Sequence, residues 1–338
     1  MSWLSILIPV YNVRPFLEEC LESILDQADA NVEILALDDC SNDGSWELLQ
    51  ELAQRWPGRL RLLQHAQNAG LSAARNTMIE AATGEYLWFV DSDDKLLPGA
   101  LSALANIVRQ HSPDLILCDF SVWREAPKLK HRLRGEAHRH SFKGYADRLC
   151  SDRELLLNGL FTTGQMHAWS KISRRILWGA SLRFPAGRYF EDSMCMPLLA
   201  LRCHSFYYCP QPWVAYRQRA TSILATMNIA KAQDLSASLR DFAMALRQTP
   251  LHASSTLQQL LAKQCSRNFV GAMRFLTKQA SSLPPVRRKE LVRQFQEDFR
   301  QTSSYSIAEL LKIHLRQGEI FRALKLYYCV QKYQWQHV

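Results

Sequence analysis

The sequence of 338 residues has no paired cysteine motif and no long uncharged apolar run. Its nine cysteines are odd in number and scattered, and none has the Cys-x-x-Cys spacing that zinc and redox sites favour. Such cysteine usage indicates a reducing compartment. No apolar stretch approaches the roughly 18 residues that a bilayer span needs, and the first one is too short for a signal sequence. We therefore expect a cytoplasmic protein that does not cross a membrane by itself.

The charge is unevenly distributed along the chain. Residues 226–338 carry seventeen Lys and Arg against seven Asp and Glu, whereas residues 1–225 carry 24 against 25. The formal net charge of +9 therefore comes from the C-terminal third. A basic surplus confined to one region indicates an anionic partner for that region alone.

Apolar runs alternate with helical patterns in the first 120 residues. The runs read as buried strands and cover residues 4–10, 32–37, 60–63, 86–90 and 115–118, and the helical patterns cover residues 16–26, 45–55, 71–82 and 100–110. This alternation predicts an α/β fold with a mostly parallel sheet flanked by helices. Ligands of such sheets bind at the carboxyl ends of the strands.

The rest of the chain divides into three parts. Residues 124–147 are polar and basic and predict an excursion from the sheet, and residues 169–200 continue the first domain. From about Asn228 onward the pattern is helical, with breaks at Pro250, at 281–285 and at Gly318. We therefore predict one domain at 1–225, with halves at about 1–120 and 121–225, and a basic helical region at 226–338.

Acidic residues follow two of the predicted strands. Asp91, Ser92, Asp93 and Asp94 come after the run 86–90, and strand alternation places Asp91 and Asp93 on one face. Carboxylates and diphosphate oxygens together suit Mg²⁺ or Mn²⁺. The alternative is a surface turn that caps the next helix.

Two further segments carry candidate nucleotide contacts. Asp38 and Asp39 end the second predicted strand, where Asp39 suits a hydrogen bond to a uracil base or, alternatively, forms a turn. Gly70 begins a helix that contains Arg75, and helix N-termini and guanidinium groups both stabilise phosphate charge. The small residues around Gly70 are equally compatible with close packing of that helix on the sheet.

Four segments in order resemble the signature of family 2 glycosyltransferases, which have the fold called GT-A. They are Ile8-Pro9-Val10-Tyr11-Asn12, Asp38-Asp39-Cys40-Ser41-Asn42-Asp43-Gly44-Ser45, residues 68–76, and Phe89-Val90-Asp91-Ser92-Asp93-Asp94. The resemblance covers residues 4–120 and extends more weakly to about 225. It implies that the nucleotide-sugar contacts are Pro9, Tyr11, Asn12, Asp38, Asp39, Gly70, Arg75, Asp91, Ser92 and Asp94, and that Asp91 and Asp93 bind the metal.

The resemblance also assigns residues on the acceptor side. Residues 169–172 together with Glu191-Asp192 are similar to the family's acceptor segment, which implies that Asp192 is the catalytic base and Glu191 its neighbour. An acidic pair that complements a helix dipole is the alternative. The segment 216–222 resembles the part that closes over the diphosphate, which adds Arg217 and Ser222 to the nucleotide contacts. Unlike some members, the sequence has no His between His204 and His252.

Two basic features lie outside the resemblance. His131, His138 and His140 stand among Arg and Lys without carboxylates close by in sequence, which predicts a solvated loop rather than a metal site. Within 320–328, apolar residues fall on one side of a predicted helix, with Arg322 and Lys325 elsewhere on its circumference. That stripe either lies on an anionic membrane or packs against the catalytic domain.

The resemblance implies an inverting transferase that moves a sugar from a nucleotide-sugar, expected to be a UDP-sugar, to a hydroxyl of a lipid-linked or surface glycan such as lipopolysaccharide, O-antigen or capsule. The expected cofactor is Mn²⁺ or Mg²⁺, and the expected location is the inner face of the cytoplasmic membrane. A sugar nucleotidyltransferase is the first alternative, although residues 9–16 lack its Gly-rich, Lys-containing loop. A binding module that holds nucleic acid through its basic tail is the second, but it leaves the strand-end aspartates unexplained.

Overall fold

The structure, a computed structural model, describes residues 2–124, 126, 129–133, 135–218, 227–278 and 283–332. The chain forms two compact units. The sheet unit comprises Met1–Gly187 and Cys195–Ser222, and the helical unit comprises Arg188–Met194 and Ile223–Val338. The predicted division at residue 225 falls close to one of these borders, but the segment Arg188–Met194 belongs to the helical unit.

The sheet unit begins with regular alternation of strands and helices. Its elements are β1 (Leu4–Val10), α1 (Arg14–Leu25), β2 (Val32–Asp38), α2 (Ser45–Arg55), β3 (Leu60–Gln64), α3 (Leu71–Ala81), β4 (Tyr86–Phe89), β5 (Lys95–Leu96), α4 (Ala100–His111), β6 (Leu115–Trp123), α5 (Leu129–Leu133), β7 (Leu149–Cys150), α6 (Arg153–Thr163), β8 (Lys171–Arg174), α7 (Glu191–Arg202) from Cys195 onward, and β9 (Phe206–Arg217). The predicted strands and helices of the first 120 residues are all present, with ends within five residues of the prediction.

The described strands form one sheet in the order β3-β2-β1-β4-β8-β6-β9-β5, with β7 paired to β9. The β3-β2-β1-β4 part is parallel throughout. Strand β8 is antiparallel to both of its neighbours, whereas β6 and β9 are parallel to each other. The predicted parallel sheet is therefore confirmed for the first four strands, and the remainder is mixed because β8, β5 and β7 run the other way.

The core explains why the first strands read as continuous apolar runs. Every residue of β1 and β4 is buried, since helices cover both faces of the parallel part. The indole of Trp88 on β4 is fully buried and donates to the carbonyl of Trp169 at 2.8 Å. A large ring with a satisfied N–H contributes apolar burial without leaving an unpaired donor. The core thereby fixes the ends of β1, β2 and β4.

The helical unit consists of helices joined at the predicted breaks. They are α8 (Ile229–Ala237), α9 (Arg240–Arg247), a 3-10 turn at Pro250–Ala253, α10 (Ser255–Lys278), α11 (Pro285–Thr302), α12 (Ile307–Arg316) and α13 (Ile320–Lys332). The Asn228 side chain caps α8, and Ser306 forms a capping box with Glu309 at the start of α12. Gly318 has a φ of 70°, which suits glycine at the turn between α12 and α13.

Helix α13 packs through residues other than the apolar stripe that was identified in the sequence. Its buried residues are Ala323, Leu326, Cys329 and Val330. The apolar stripe singled out in the sequence is exposed instead, from 51% at Tyr327 to 80% at Phe321. No helix among the described residues is long and apolar enough to span a bilayer.

Glu319 joins three elements of the helical unit. It accepts from Lys263 of α10 at 2.8 Å, lies 2.6 Å from the ring of the buried His314, and pairs with Arg322 of α13. Burial disfavours the charged form of Glu319, but the hydrogen bonds from Lys263 and His314 outweigh it and lower the pKa to about 2. An ionised Glu319 therefore stabilises the junction of α10, α12 and α13.

We expect Glu319→Gln to lower the free energy of unfolding by about 1–3 kcal/mol at pH 7, because the charged hydrogen bonds are lost. A lowered pKa means that the contribution is complete above the unfolded-state pKa and is lost as the pH falls through about 2. The gap between wild type and variant in urea unfolding should therefore narrow below pH 4. Glu297→Gln, at an exposed ion pair, is the control and should change stability by less than about 0.5 kcal/mol. Equal effects of both replacements would contradict this assignment.

Candidate active site

The ends of β1 and β2 form one polar edge of the sheet unit. The backbone N–H of Asn12 donates to Ser41 Oγ at 3.0 Å, and the N–H of Asn42 donates to Asn12 Oδ1 at 2.9 Å. Asn12 has a φ of 51°, a left-handed conformation that asparagine tolerates better than most residues. These bonds leave the neighbouring Tyr11 ring 48% exposed at the strand end, where a planar ligand can reach it. Pro9 is buried within β1.

The two aspartates at the end of β2 are both buried. Asp38 Oδ2 accepts from the N–H of Ser41 and from Gln64 Nε2, whereas its buried Oδ1 has no hydrogen-bond partner among the described residues. Asp39 accepts from the N–H groups of Ala69 at 2.9 Å and Gly70 at 2.7 Å.

Asp39 also lies 2.7 Å from His65 Nδ1, whose other ring nitrogen is 2.9 Å from Thr77 Oγ1. The carboxylate of Asp39 therefore holds the loop that precedes α3. His65 is a neighbour that no sequence motif indicated. The contact of Asp39 with a nucleotide base stays a prediction.

Helix α3 carries Arg75 beneath the aspartate cluster rather than at the surface. Arg75 is 1% exposed, its Nη2 donates to Asp91 Oδ1 at 3.0 Å, and its guanidinium lies 5.1 Å from the ring of Phe184. A buried cation held by a carboxylate and an aromatic face positions that carboxylate. The phosphate contact predicted for Arg75 stays a prediction, and what the structure shows is a supporting contact to Asp91.

The segment Asp91 to Asp94 is a turn and not a continuation of β4. Strand β4 ends at Phe89, and the N–H of Asp94 donates to the carbonyl of Asp91 at 3.0 Å. The strand geometry expected for these residues was therefore wrong. Their alternation is nevertheless present, because Asp91 and Asp93 are partly exposed whereas Ser92 and Asp94 are buried. The alternative, in which these residues cap the next helix, is not what the structure shows, since Gly99 occupies the N-cap position of α4.

Arg217, at the end of β9, binds the other side of this turn. Its side-chain Nε donates to the carbonyl of Asp93 at 2.8 Å, and its backbone N–H donates to Asp94 Oδ1 at 2.7 Å. Nη2 donates to Glu19 at 2.7 Å, and the guanidinium lies 3.7 Å from the centre of the Trp123 ring. The structure thus brings the distant Arg217 to the aspartates, whereas its contact with a diphosphate stays a prediction.

Three carboxylates within four residues create strong local repulsion. Burial, followed by the charges of Asp91 and Asp93, raises the pKa of Asp94 well above its usual value. Asp94 Oδ2 is buried and has no hydrogen-bond partner among the described residues. Arg75 and Arg217 each compensate one side of this negative turn. The partly exposed Asp91 and Asp93 offer only oxygen donors, the set that suits Mg²⁺ or Mn²⁺.

The predicted catalytic pair lies in the helical unit. Glu191 and Asp192 form the first turn of α7, and the preceding segment is held by Asp234, which accepts from Arg188 at 2.6 Å and from the N–H of Tyr189 at 3.0 Å. This position is compatible both with a catalytic base and with a pair that complements the helix dipole. Ser222 lies outside the described residues.

A pocket of ≈ 430 Å³ at the ends of β6 and β9 was not predicted from the sequence. Its lining includes Phe120, Arg139, His167 and Tyr216. The His167 and Tyr216 rings both stack on Trp169, at 4.7 and 5.5 Å, and their own centres are 6.1 Å apart. Burial, followed by the charges of Lys171 and Arg75, lowers the pKa of His167 to about 3, so the ring is neutral near pH 7. The combination of stacked rings and charged groups suits a polar, ring-shaped ligand.

Comparison with known proteins places the sheet unit in a family. Residues 5–171 match the family model "Glycosyl transferase family 2". The chain is 41% identical over 116 residues to the uncharacterized glycosyltransferase EpsJ of Bacillus subtilis, covering 34% of this chain and 33% of that protein. It is 38% identical over 117 residues to the putative teichuronic acid biosynthesis glycosyltransferase TuaG of the same organism, covering 35% and 44%. The matched region thus spans less than half the length of either relative.

The fold extends beyond that region. The structure of S. aureus TarS residues 1–349 in complex with UDP covers 100% of this chain and 93% of its own, with a TM-score of 0.69 and 18% sequence identity. At that identity the likeness concerns the fold, which is the GT-A type that the resemblance implied. Residues 5–171 therefore match glycosyltransferase family 2, as the resemblance implied.

Proposed function

We propose that the protein is an inverting glycosyltransferase that moves a sugar from a UDP-sugar to a hydroxyl of a lipid-linked or surface glycan. The turn at the end of β4 supports this proposal most directly. Asp91 and Asp93 are partly exposed there. Arg75 and Arg217 bind the turn from two sides. Repulsion among clustered carboxylates destabilises the folded protein. A site that binds a diphosphate through a divalent cation is a function that requires such a cluster.

The nucleotide would bind along the edge formed by β1 and β2. The exposed ring of Tyr11 offers a face for the base, and the loop of Asn12 and Asp39 offers polar groups beside it. Support for uridine comes from the TarS structure, which was solved in complex with UDP. Gly70, Ser92 and Ser222 complete the proposed set of donor contacts.

Asp91 and Asp93 would hold the divalent cation. The fit rests on an all-oxygen donor set beside a buried Asp94 oxygen that no described residue satisfies. A cation bound there would neutralise the charge that develops on the departing diphosphate. The protein positions the two carboxylates through its arginines. Arg75 donates to Asp91, and Arg217 contacts Asp93 and Asp94.

The proposed base is Asp192, with Glu191 as its neighbour. In an inverting transfer the acceptor oxygen forms a bond to the anomeric carbon as the bond to the diphosphate breaks, and Asp192 takes the acceptor's proton. The relationship to TuaG, a putative teichuronic acid biosynthesis glycosyltransferase, supports a glycan acceptor. The pocket of Phe120, His167 and Tyr216 provides stacked rings for its sugar. Lipopolysaccharide, O-antigen and capsule precursors are the acceptor classes to test.

We expect UDP release from one member of a UDP-sugar panel, in the presence of Mn²⁺ and an acceptor extract. Asp93→Ala and Asp192→Asn should each reduce turnover by about 10²-fold or more, because one removes a cation ligand and the other the base. Asp241→Asn, an exposed acid in the first turn of α9, is the control and should leave turnover unchanged.

The products separate this proposal from its alternatives. A sugar nucleotidyltransferase would consume a nucleoside triphosphate and release inorganic diphosphate instead of UDP. A binding module would turn over neither substrate. Either result, or full activity of Asp192→Asn, would overturn the proposed mechanism.

The helical unit provides the proposed membrane contact. Ile320, Phe321, Leu324, Tyr327 and Tyr328 form an exposed apolar face on α13, and the exposed Arg322 and Lys325 both lie beyond one edge of it. Because α13 packs through its opposite side, this face remains open on the described structure. An apolar face with basic residues beyond one edge matches an anionic leaflet, and each Lys or Arg near its surface contributes about 1 kcal/mol. We propose peripheral attachment to the inner face of the cytoplasmic membrane.

We expect the full chain to co-sediment with phosphatidylglycerol vesicles more than with phosphatidylcholine vesicles, and less so at high salt. The double variant Phe321→Ser, Leu324→Ser should weaken binding at least about tenfold, since each buried side chain contributes about 1.5–3 kcal/mol. Ile176→Ser, at an isolated 81% exposed position, is the control. Salt-independent self-association through this face, without vesicle binding, would contradict the membrane proposal.

A further inference from the structure

Asp119 lies at the bottom of a small cluster that contains two histidines from the segment after β6. Its side chain is completely buried. Oδ2 lies 2.8 Å from His138 Nε2 and 2.7 Å from His140 Nδ1. The candidate donor atoms of the three residues all lie within 4.8 Å of one another. The two histidines are exposed, as expected for a solvated loop, but Asp119, which is distant in sequence, supplies a carboxylate beside them.

Backbone pairing explains the arrangement. Phe120 and Arg139 form an antiparallel bridge in which the N–H of Arg139 donates to the carbonyl of Phe120 at 2.7 Å and the N–H of Phe120 donates back at 3.2 Å. In extended chains successive side chains alternate between faces, so Asp119, His138 and His140 share the face opposite Phe120 and Arg139. The cluster is thus fixed by main-chain geometry.

The carboxylate is oriented by groups outside the proposed ligand set. The N–H of Ser141 donates to Asp119 Oδ1 at 2.9 Å. The Tyr208 hydroxyl donates to Oδ1 at 2.9 Å, lies 3.0 Å from Oδ2, and is 3.3 Å from His140 Nδ1. Partners of this kind fix the orientation of metal-binding carboxylates in known sites.

Charge balance favours a cation at this point. Among the described residues, the ion-pair partners of Asp119 are His138 and His140, and no Lys or Arg contacts it. Neutral imidazoles can donate hydrogen bonds to a buried carboxylate but leave its charge uncompensated. Two imidazoles and one carboxylate are a donor set that suits Zn²⁺, with a fourth position for water.

We infer that Asp119, His138 and His140 form a Zn²⁺ site that fastens the segment after β6 to the sheet. Tetrahedral bonds of about 2.1 Å place ligand atoms about 3.4 Å apart, so Oδ2 and each nitrogen need to separate by only about 0.6 Å. His138 and His140 are 44% and 64% exposed, which leaves solvent access for the ion and for a bound water. Glu136 and Arg139 of the same segment line the pocket. The inference is independent of the proposed transfer reaction.

The test is Zn²⁺ binding to the full chain, in competition with a chromophoric chelator and in excess Mg²⁺. The Mg²⁺ occupies oxygen-only sites such as Asp91 and Asp93. We expect one Zn²⁺ per chain, with the affinity reduced at least about tenfold by His138→Gln and by His140→Gln. His131→Gln, in the same segment but outside the cluster, should bind Zn²⁺ like the wild type.

Substitution with Co²⁺ provides a readout on the unaltered protein. We expect the intense visible absorption of a four-coordinate Co²⁺ complex, lost upon addition of Zn²⁺. The weak spectrum of octahedral Co²⁺, an absence of stoichiometric Zn²⁺ binding, or binding that survives both histidine replacements would each overturn the inference. These experiments do not measure UDP-sugar turnover, so neither result tests the proposed transfer reaction.

Discussion

Electrostatic repulsion among Asp91, Asp93 and Asp94 is the constraint on which the rest of the sheet unit depends. Three carboxylates at one turn favour protonation or unfolding unless positive charge lies nearby. The fold supplies that charge from opposite directions, with Arg75 rising from α3 and Arg217 arriving from the last strand. Both arginines are almost fully buried and lie against aromatic rings, so their positions are fixed by packing as well as by charge.

This constraint links the two halves of the sheet. Strand β9 pairs with β6 along most of its length and reaches the turn through a shift in register near Asp119. Arg217 follows directly from that path, because it is the final residue of β9. The same register shift involves Asp119, so this backbone irregularity adjoins the proposed zinc site.

The sequence predicted local features well and spatial neighbours poorly. The bounds of α2 and β1 were predicted to the residue, because apolar periodicity and strand-end polar residues act locally. The direction of β8, the contact of Asp39 with His65, and the contact of Asp119 with His138 depend on which distant segments meet, and periodicity carries no such information. The stripe on α13 is a related case, since the pattern identified an apolar face but could not decide whether that face would be covered by protein.

The proposed function depends on the turn after β4 binding a nucleotide diphosphate with the help of a cation. The most direct measurement is the affinity for UDP by calorimetry, with Mn²⁺ and then with a chelator, on the full chain. We expect UDP to bind at least about tenfold more tightly with Mn²⁺, because a cation held by Asp91 and Asp93 would offset the repulsion between these carboxylates and the diphosphate. Equal affinity in both conditions, or no binding in either, would contradict the assignment of Asp91 and Asp93 to this role.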